Sequence, residues 1–533
     1  MGETKARRIA RVACVQLEPR YPDFCSRVIM PRYGLPVIGA VLQREGYEVR
    51  VFIEHVAPVD RDWVLQADVV LLSALTGAAT RTYEFADWFR RHSDAPIVMG
   101  GEHASSFAND SLEWVDFVIR REGDGIILPL LRAVEQGGPF DAIPGLSYLR
   151  DGQVVHNDAG EVPDNINVRH DLDIIHDYPK DDGLRLLIKR GMTKMICVQA
   201  TRGCPYRCNF CVAPRLFGYT YRFREVEAVI DDIRGKLPYG RKFLFVDNLF
   251  ALNDRNTNAL LDRMIEEKFS ERAEFTIFCR VEISEKPAML ARMQRAGVRT
   301  ICLGLESINN LTLNNINKQQ KLSDMVEAIA AIRRAGIAPS GSFIAGNDGD
   351  TRESLLATAR FAIESDLNSF YFISLWYYPG DPRCPLTPQR QIVPSYDYCT
   401  GHFVTHFPSH MKPSTLQRTI VDAQRIFWDR KRAAKYAATG SFARGVHLLT
   451  HRVAFSAVEK YQLAHAHYLE SVEQGYYDDN EMLIESRIKK REPDPIVKRA
   501  RAAGEVKMDT AKDRRSQLAR NGGETELSLM ETA

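Results

Sequence analysis

A chain of 533 residues is longer than one ordinary hydrophobic core supports, so two or three domains are expected. Its 45% hydrophobic and 26% charged residues are typical of a soluble globular protein, and 71 Lys and Arg against 69 Asp and Glu leave a formal charge of +2. That balance advertises no polyanion partner, so no nucleic-acid role is expected. No apolar run approaches the roughly 18 residues of a transmembrane segment, and the N-terminus has no signal-peptide apolar region. Ala6 stands where a myristoylation signal needs Ser or Thr, so the expectation is a cytoplasmic protein.

Residues 9–138 alternate short strand patterns with helix patterns. Strands are expected at 11–17, 47–53, 67–73, 96–99 and 117–120, and helices at 36–43, 80–91 and 125–135. This alternation predicts an α/β, doubly wound, Rossmann-like domain, whose ligands lie beyond the carboxyl ends of the strands. Those ends read Ser73-Ala-Leu-Thr76-Gly77, Gly100-Gly101-Glu102-His103 and Arg121-Glu122-Gly123-Asp124. Glycines at three strand ends suggest backbone approaching a large ligand.

Residues 139–193 read as a linker with a hairpin at Asp151-Gly152. A second alternating array follows over 194–384. Its strands are expected at 194–200, 242–247, 274–280, 300–305, 341–345 and 370–375, with helices near 224–237, 255–268, 286–296, 322–335 and 351–365. Six such units predict a partial (β/α)6 barrel with its chemistry at the strands' carboxyl ends. The C-terminal region, 385–488, reads as mainly helical, strongest over Leu416–Lys435, and 489–533 reads as a disordered polar tail. Aromatic residues between 376 and 411, among them Trp376, Tyr378, Tyr396, Phe403 and Phe407, are either a packing seam for the helices or a wall for substrate.

Seven of the ten cysteines are scattered and read as buried fillers; the other three form Cys204-Pro-Tyr-Arg-Cys208-Asn-Phe-Cys211 directly after the first barrel strand. A structural zinc site calls for four ligands, commonly two C-x-x-C pairs, and no second pair exists. Three cysteines can instead hold three irons of a [4Fe–4S] cube and leave the fourth iron open. Gly203 would let the loop leave its strand, and Phe210 would shield the cluster, pack on an adenine or simply fill core.

The run Ala200-Thr-Arg-Gly-Cys-Pro-Tyr-Arg-Cys-Asn-Phe-Cys211 resembles the cluster loop of the radical S-adenosylmethionine (SAM) enzymes. Gly218-Tyr-Thr-Tyr-Arg-Phe-Arg224, Gly100-Gly-Glu-His103 and Glu122-Gly-Asp124 are similar to sequences of their cobalamin-binding branch. The resemblance covers about 9–435. It implies a cobalamin-binding N-terminal domain and a barrel in which SAM chelates the open iron. One electron then yields a 5′-deoxyadenosyl radical, which takes hydrogen from an unactivated carbon. It further implies that Asp247 and Asn248 meet the SAM ammonium, that Arg280 and Glu282 meet a carboxylate or hydroxyls, and that Glu306, beside Ser307, accepts from ribose hydroxyls. Gly341 to Gly346 would leave room for adenine. Ser73, Thr76, Gly77, Gly100, Gly101, Glu102, His103, Glu122 and Gly123 would face cobalamin. The Asp-x-His-x-x-Gly motif that supplies a histidine to cobalt is absent, so His103 reads as a loop residue near the corrin rather than a ligand.

Three functions follow from this reading. The first is cobalamin-dependent radical methylation, the second a non-methylating oxidation, cyclisation or rearrangement, and the third a non-catalytic iron–sulfur electron carrier or sensor. The expected partners are a small-molecule or lipid-like substrate and an external donor such as flavodoxin or ferredoxin.

Overall fold

Short aliphatic runs bounded by Gly, Asp or Pro pair into two mainly parallel sheets. The computed structural model describes residues 8–492, apart from 24, 25, 27, 181–192, 377, 379–383, 385, 393, 394 and 440. Cys25, Tyr377 and the tail beyond 492 therefore lie outside the described residues.

The strands, in chain order, are β1 (Arg11–Gln16), β2 (Val28–Ile29), β3 (Glu48–Ile53), β4 (Val69–Ser73), β5 (Ile97–Gly100), β6 (Phe117–Ile119), β7 (Leu146–Arg150) and β8 (Gln153–His156). Then come β9 (Thr193–Lys194), β10 (Ile196–Val198), β11 (Thr201–Arg202), β12 (Arg222–Phe223), β13 (Lys242–Phe245), β14 (Glu274–Cys279), β15 (Val298–Glu306), β16 (Ala338–Ala345) and β17 (Ser369–Ser374).

The first sheet has the order β3-β1-β4-β5-β6-β7-β8. Its first five strands are parallel, with Cys14 opposite both Val51 and Leu71. Nearly every residue of β1, β4, β5 and β6 is buried, as expected for a sheet covered on both faces. This is the doubly wound arrangement expected from the sequence, but the sheet does not end at 138. The hairpin β7–β8 adds two antiparallel strands to it, with Phe117 opposite Tyr148. Asp151 and Gly152, at φ 50° and 78°, make the tight turn. The linker reading missed this because a hairpin has no helix to mark it as part of the wound sheet.

The second sheet, β10-β13-β14-β15-β16-β17, is parallel throughout. Helices Val226–Lys236, Asp254–Glu266, Pro287–Ala296, Leu322–Arg334 and Arg352–Glu364 return the chain between successive strands. Phe243, Phe275, Phe343 and Phe370 are fully buried between sheet and helices. The side chains of Asn253 and Thr351 cap two of these helices, accepting from the Asn256 and Ser354 amides. The six parallel strands with a helix between successive strands are as expected.

The C-terminal region differs. Residues 386–412 are irregular where described, with 3₁₀ turns at Pro388–Arg390 and Tyr396–Tyr398. Six prolines between 382 and 413 deny a helix its amide donors. The helices of this region among the described residues are Pro413–Phe427, Arg430–Ala438, Phe442–Val472 and the short Glu485–Ile488. The first break falls where Asp429 turns out of the helix to cap the next one through the Arg432 amide. Tyr396, Phe403, Phe407 and Met411 are buried, and Phe403 and Phe407 pack on His465 and Tyr476 of the C-terminal region; these four make a packing seam. No helix among the described residues is long and apolar enough to cross a membrane.

Candidate active site

The three clustered cysteines lie on a loop that starts and ends at one two-residue ribbon. Thr201 pairs with Phe223 and Arg202 with Arg222, so the chain leaves on β11 and returns on β12. Gly203 makes the departure possible: its φ is +93°, and a Cβ there would stand 2.1 Å from the Thr220 carbonyl oxygen. A short helix, Ala213–Phe217, follows the last cysteine, and Gly218 at φ +73° ends it.

The far side of the loop is tied to the segment after β15. The Asn209 amide donates to the Ile316 carbonyl (3.1 Å), its side chain donates to the Asn315 carbonyl (2.9 Å), and Asn317 Nδ2 donates to the Arg207 carbonyl (2.9 Å). Cys204, Cys208 and Cys211 are free thiols. Burial pushes the Cys208 thiol up and that of Cys211 to about 11, while Lys318 pulls both back and Arg280 also pulls on Cys208. A thiolate set beside two cations suits a bound cluster of net negative charge. Among the described residues no three His, Cys, Asp or Glu side chains stand close enough to chelate a single ion. A cube spreads its thiolates over three different irons.

Two strand ends face this loop. At β14, the Arg280 guanidinium lies 3.9 Å from the Tyr206 ring centroid, pairs with Glu282 (2.8 Å) and donates to the Lys318 carbonyl (2.9 Å). At β15, Glu306 adopts φ +64°, and its carboxylate pairs with Lys318 Nζ at 2.8 Å, both side chains buried. Gly304 gives that pair its room, since a Cβ there would lie 2.5 Å from the Glu306 carboxylate and 2.8 Å from the ammonium. Gln320 Nε2 donates to the carbonyls of Gly304 and Leu305, and Ser307 closes the turn by accepting from the Asn309 amide. Lys318, Gln320 and Tyr206 were not singled out in the sequence. Tyr206 lies within the cysteine loop itself, whereas Lys318 and Gln320 sit in a distant loop without periodicity, and only the fold brings that loop to the thiols. Phe210 is half-buried against Ile344, Leu375 and Leu386, with Lys318 Nζ 6.0 Å from its ring centroid.

Several sequence-based expectations need correction. Asp247 is not presented to a ligand: its carboxylate accepts from the Ala200 amide (2.8 Å) and the Thr201 hydroxyl (2.9 Å), and burial pushes it up to about 7. Asn248 accepts from the Gly203 amide at 3.3 Å, so both residues fix the start of the cysteine loop. The glycines of β16 do not leave space for adenine. A Cβ on Gly341 would meet Leu367 and Leu305, and one on Gly346 would meet the His406 ring at 2.6 Å. Their missing side chains admit other parts of the protein.

The N-terminal strand ends are likewise engaged within the chain. Glu102 accepts from the Thr76 amide and hydroxyl, and Ser73 Oγ fills the space beside Gly101. The Cys399 carbonyl and Thr400 close over Gly77, and Gly123 opens the turn into helix Ile127–Gln136. Gly100 ends β5 without a close contact. His103 is not a loop residue: it lies in helix Gly101–Ser106, is fully buried, exchanges a hydrogen bond with Tyr83 (2.6 Å) and packs on Phe107 and Tyr396. Glu122 binds Arg202 and Arg222 of the ribbon. These contacts hold the N-terminal strand ends against the cysteine loop.

Residues 198–362, from β10 through helix Arg352–Glu364, match the model of the radical SAM superfamily. Those residues form a radical SAM domain. The chain is 27% identical over 422 residues to the anaerobic magnesium-protoporphyrin IX monomethyl ester cyclase of Cereibacter sphaeroides, covering 75% of this chain and 66% of that one, just under two thirds. It is 26% identical to the bacteriochlorophyllide d C-8(2)-methyltransferase of Chlorobaculum tepidum, over 59% of this chain and 66% of that one. Among solved structures, the radical SAM methyltransferase TsrM of Kitasatospora setae superposes with a TM-score of 0.59 at 20% identity, over 70% of this chain and 75% of that one. The cobalamin-dependent radical SAM enzyme OxsB superposes with a TM-score of 0.55 at 19% identity, over 66% and 52%. These two likenesses establish the α/β fold.

Proposed function

We propose that this enzyme methylates an unactivated carbon, with a [4Fe–4S] cluster on Cys204, Cys208 and Cys211, SAM on the open iron and cobalamin as second cofactor. The observation that carries the reading is the cysteine loop itself. Three free thiols follow the first barrel strand, and the buried Arg280 and the Lys318–Glu306 pair stand at the ends of the third and fourth strands. Held by those cysteines, a cluster would supply the electron for cleavage of SAM, and bound cobalamin would supply methyl-carrying chemistry.

The chain's own residues do the positioning. Lys318 and Arg280 put two positive charges beside the thiols, which favours thiolate ligands and would attract the carboxylate of SAM. Phe210, Ile344, Leu375 and Leu386 keep water from that side of the loop. Glu122, bound to both ribbon arginines, turns the N-terminal sheet's ligand edge toward the cysteines, so that two cofactors would share one chamber. The cobalamin bound in the TsrM and OxsB structures supports the second cofactor.

An apolar substrate fits the barrel. Phe278 on β14 and Ile373 on β17 remain 39% and 38% exposed, on the strand faces opposite the helix-packed core. Relatives named for magnesium-protoporphyrin and bacteriochlorophyllide support a large, flat one, and an external one-electron donor of the flavodoxin or ferredoxin class completes the reaction. Cyclisation without methyl transfer is the second reading, because the cyclase alignment spans 75% of this chain against 59% for the methyltransferase. Anaerobic reconstitution with iron, sulfide, cobalamin and methyl-labelled SAM distinguishes them. Methylation yields both 5′-deoxyadenosine and S-adenosylhomocysteine, cyclisation yields the first alone, and neither product from an intact cluster would overturn radical chemistry.

A further inference from the structure

A cleft of about 170 Å³ lies between the carboxyl end of β6 and helix Ala213–Phe217, lined by Ser105, Ser106, Arg120, Arg121 and Arg215, with Ala159 and Leu216. Three guanidinium groups and two hydroxyls face one space at the seam of the N-terminal sheet and the cysteine-loop segment.

The positive charge of Arg120 and Arg121 is poorly compensated. Among the described residues no carboxylate stands within ion-pair distance of either; Asp158 acts on Arg120 only at longer range. Arg120 donates one Nη to the Asn157 carbonyl, and Arg121 donates weakly to the Gly160 carbonyl at 3.4 Å. The Nε of each is buried and has no hydrogen-bond partner among the described residues. Burying donors of a cation without an acceptor is costly, and such groups mark a place where an acceptor belongs.

The backbone adds a second observation. Arg121 holds φ +69°, a conformation that costs a non-glycine residue about 1–3 kcal/mol, and its amide is fixed by Ser105 Oγ at 2.9 Å. That conformation directs the side chain to Gly218, where a Cβ would come 3.3 Å from Arg121 Nη2. The strain thus sets a guanidinium at the domain seam.

We propose that this cleft is an oxyanion subsite, taking a phosphate or carboxylate group of a ligand bound between the N-terminal sheet and the cysteine loop. Planar guanidinium groups bind both oxyanions through paired N–H donors. The anion comes either from the phosphodiester of the cobalamin nucleotide loop or from a carboxylate of the substrate. Only that choice of source rests on the proposed function; the anion site itself does not.

The test begins with the full chain, reconstituted with its cluster before cobalamin is added and titrated with inorganic phosphate by calorimetry. Saturable binding is expected, weakened at least tenfold in the Arg120→Gln, Arg121→Gln double variant and unchanged in Arg150→Gln, which alters an exposed arginine outside the cleft. Absence of saturable binding, or equal binding by the double variant, overturns the proposal. Should the double variant lose its iron or its helical circular dichroism, Arg121→Lys decides: weaker phosphate binding with an intact cluster upholds the site, and unchanged binding removes it.

Aquacobalamin and cobinamide, which lacks the nucleotide loop and its phosphate, then identify the source. Weakened binding of aquacobalamin alone assigns the phosphodiester, whereas retention of both assigns a substrate carboxylate. Failure of the parent chain to bind either corrinoid would count against the cobalamin reading and leave the phosphate titration valid.

Discussion

Glu122 Oε2 lies 2.6 Å from Arg202 Nη1, across 80 positions of sequence, with both side chains buried. The same carboxylate holds Arg222 at 2.5 Å, and Asp124 adds a contact to Arg202 at 2.7 Å. One acidic turn of the N-terminal sheet therefore clamps both strands of the ribbon that carries the cysteine loop. Removing one partner of a buried pair leaves an uncompensated charge and costs about 3–5 kcal/mol. Glu122→Gln should lower the denaturant midpoint by a corresponding amount and reduce iron retention after desalting. An unchanged midpoint would show that Asp124 alone suffices.

Cys208→Ala should bring iron and sulfide content to background and abolish SAM cleavage, while the circular dichroism of the protein part stays that of the parent. Cys197→Ala, on β10 and outside the loop, should retain the cluster. Full iron content in Cys208→Ala would remove that thiol from the ligand set.

Gly203→Ala tests the loop's geometry separately from its chemistry. A left-handed residue with a Cβ costs about 1–2 kcal/mol, and here the Cβ would also sit 2.1 Å from the Thr220 carbonyl oxygen. The expected outcome is a chain that keeps all three thiols yet reconstitutes poorly. Normal cluster occupancy would mean that the ribbon can open by an ångström or more without consequence.

These variants also mark how far the sequence could be read. The barrel strands were legible because each is a buried parallel run bounded by turn residues, and the cysteine spacing was legible because it is local. The partners of that loop were not. Lys318 follows a short helix in a polar run with no pattern, and only β15 and its left-handed Glu306 bring it to the thiols. Asp247 looked like a ligand because acidic residues at strand ends commonly are, but its two acceptor atoms satisfy Ala200 and Thr201. Glycines mislead in the same way: a missing side chain signals close approach without saying of what, and at Gly346 the neighbour is His406. The helix Phe442–Val472 falls in the region read as mainly helical but had no bounds assigned, because Phe442, Val446, Leu449 and Val453 give it an exposed apolar face, which blurs the usual amphipathic pattern.

Lys318→Met should shift the cluster's midpoint potential downward, because a buried cation beside the thiolates favours the reduced, more negative state. A change on the order of tens of millivolts is expected for one partly screened charge. The variant also frees the Glu306 carboxylate, adding a negative charge in the same direction. Redox titration followed by electron paramagnetic resonance measures it, and a potential unchanged within error would place Lys318 outside the cluster's electrostatic reach.

Asp247→Asn gives a pH signature of its own. Burial raises the wild-type carboxyl to about 7 in the folded chain, against an ordinary value near 4 when unfolded. The folded state therefore holds the proton more tightly, and the resulting stability is complete below about pH 4 and disappears as pH rises through about 7. Asparagine keeps an acceptor for the Ala200 amide and can donate to Thr201 Oγ1, whose hydroxyl also has the Leu249 carbonyl as a partner at 3.2 Å. The stability difference between variant and parent should thus grow from pH 4 to pH 7. Above that it should plateau with the variant more stable by on the order of 2–4 kcal/mol. Denaturant midpoints taken at intervals across that range isolate the effect, because every other titrating group is common to both chains. A difference that does not vary with pH would mean that Asp247 keeps an ordinary acidity despite its burial.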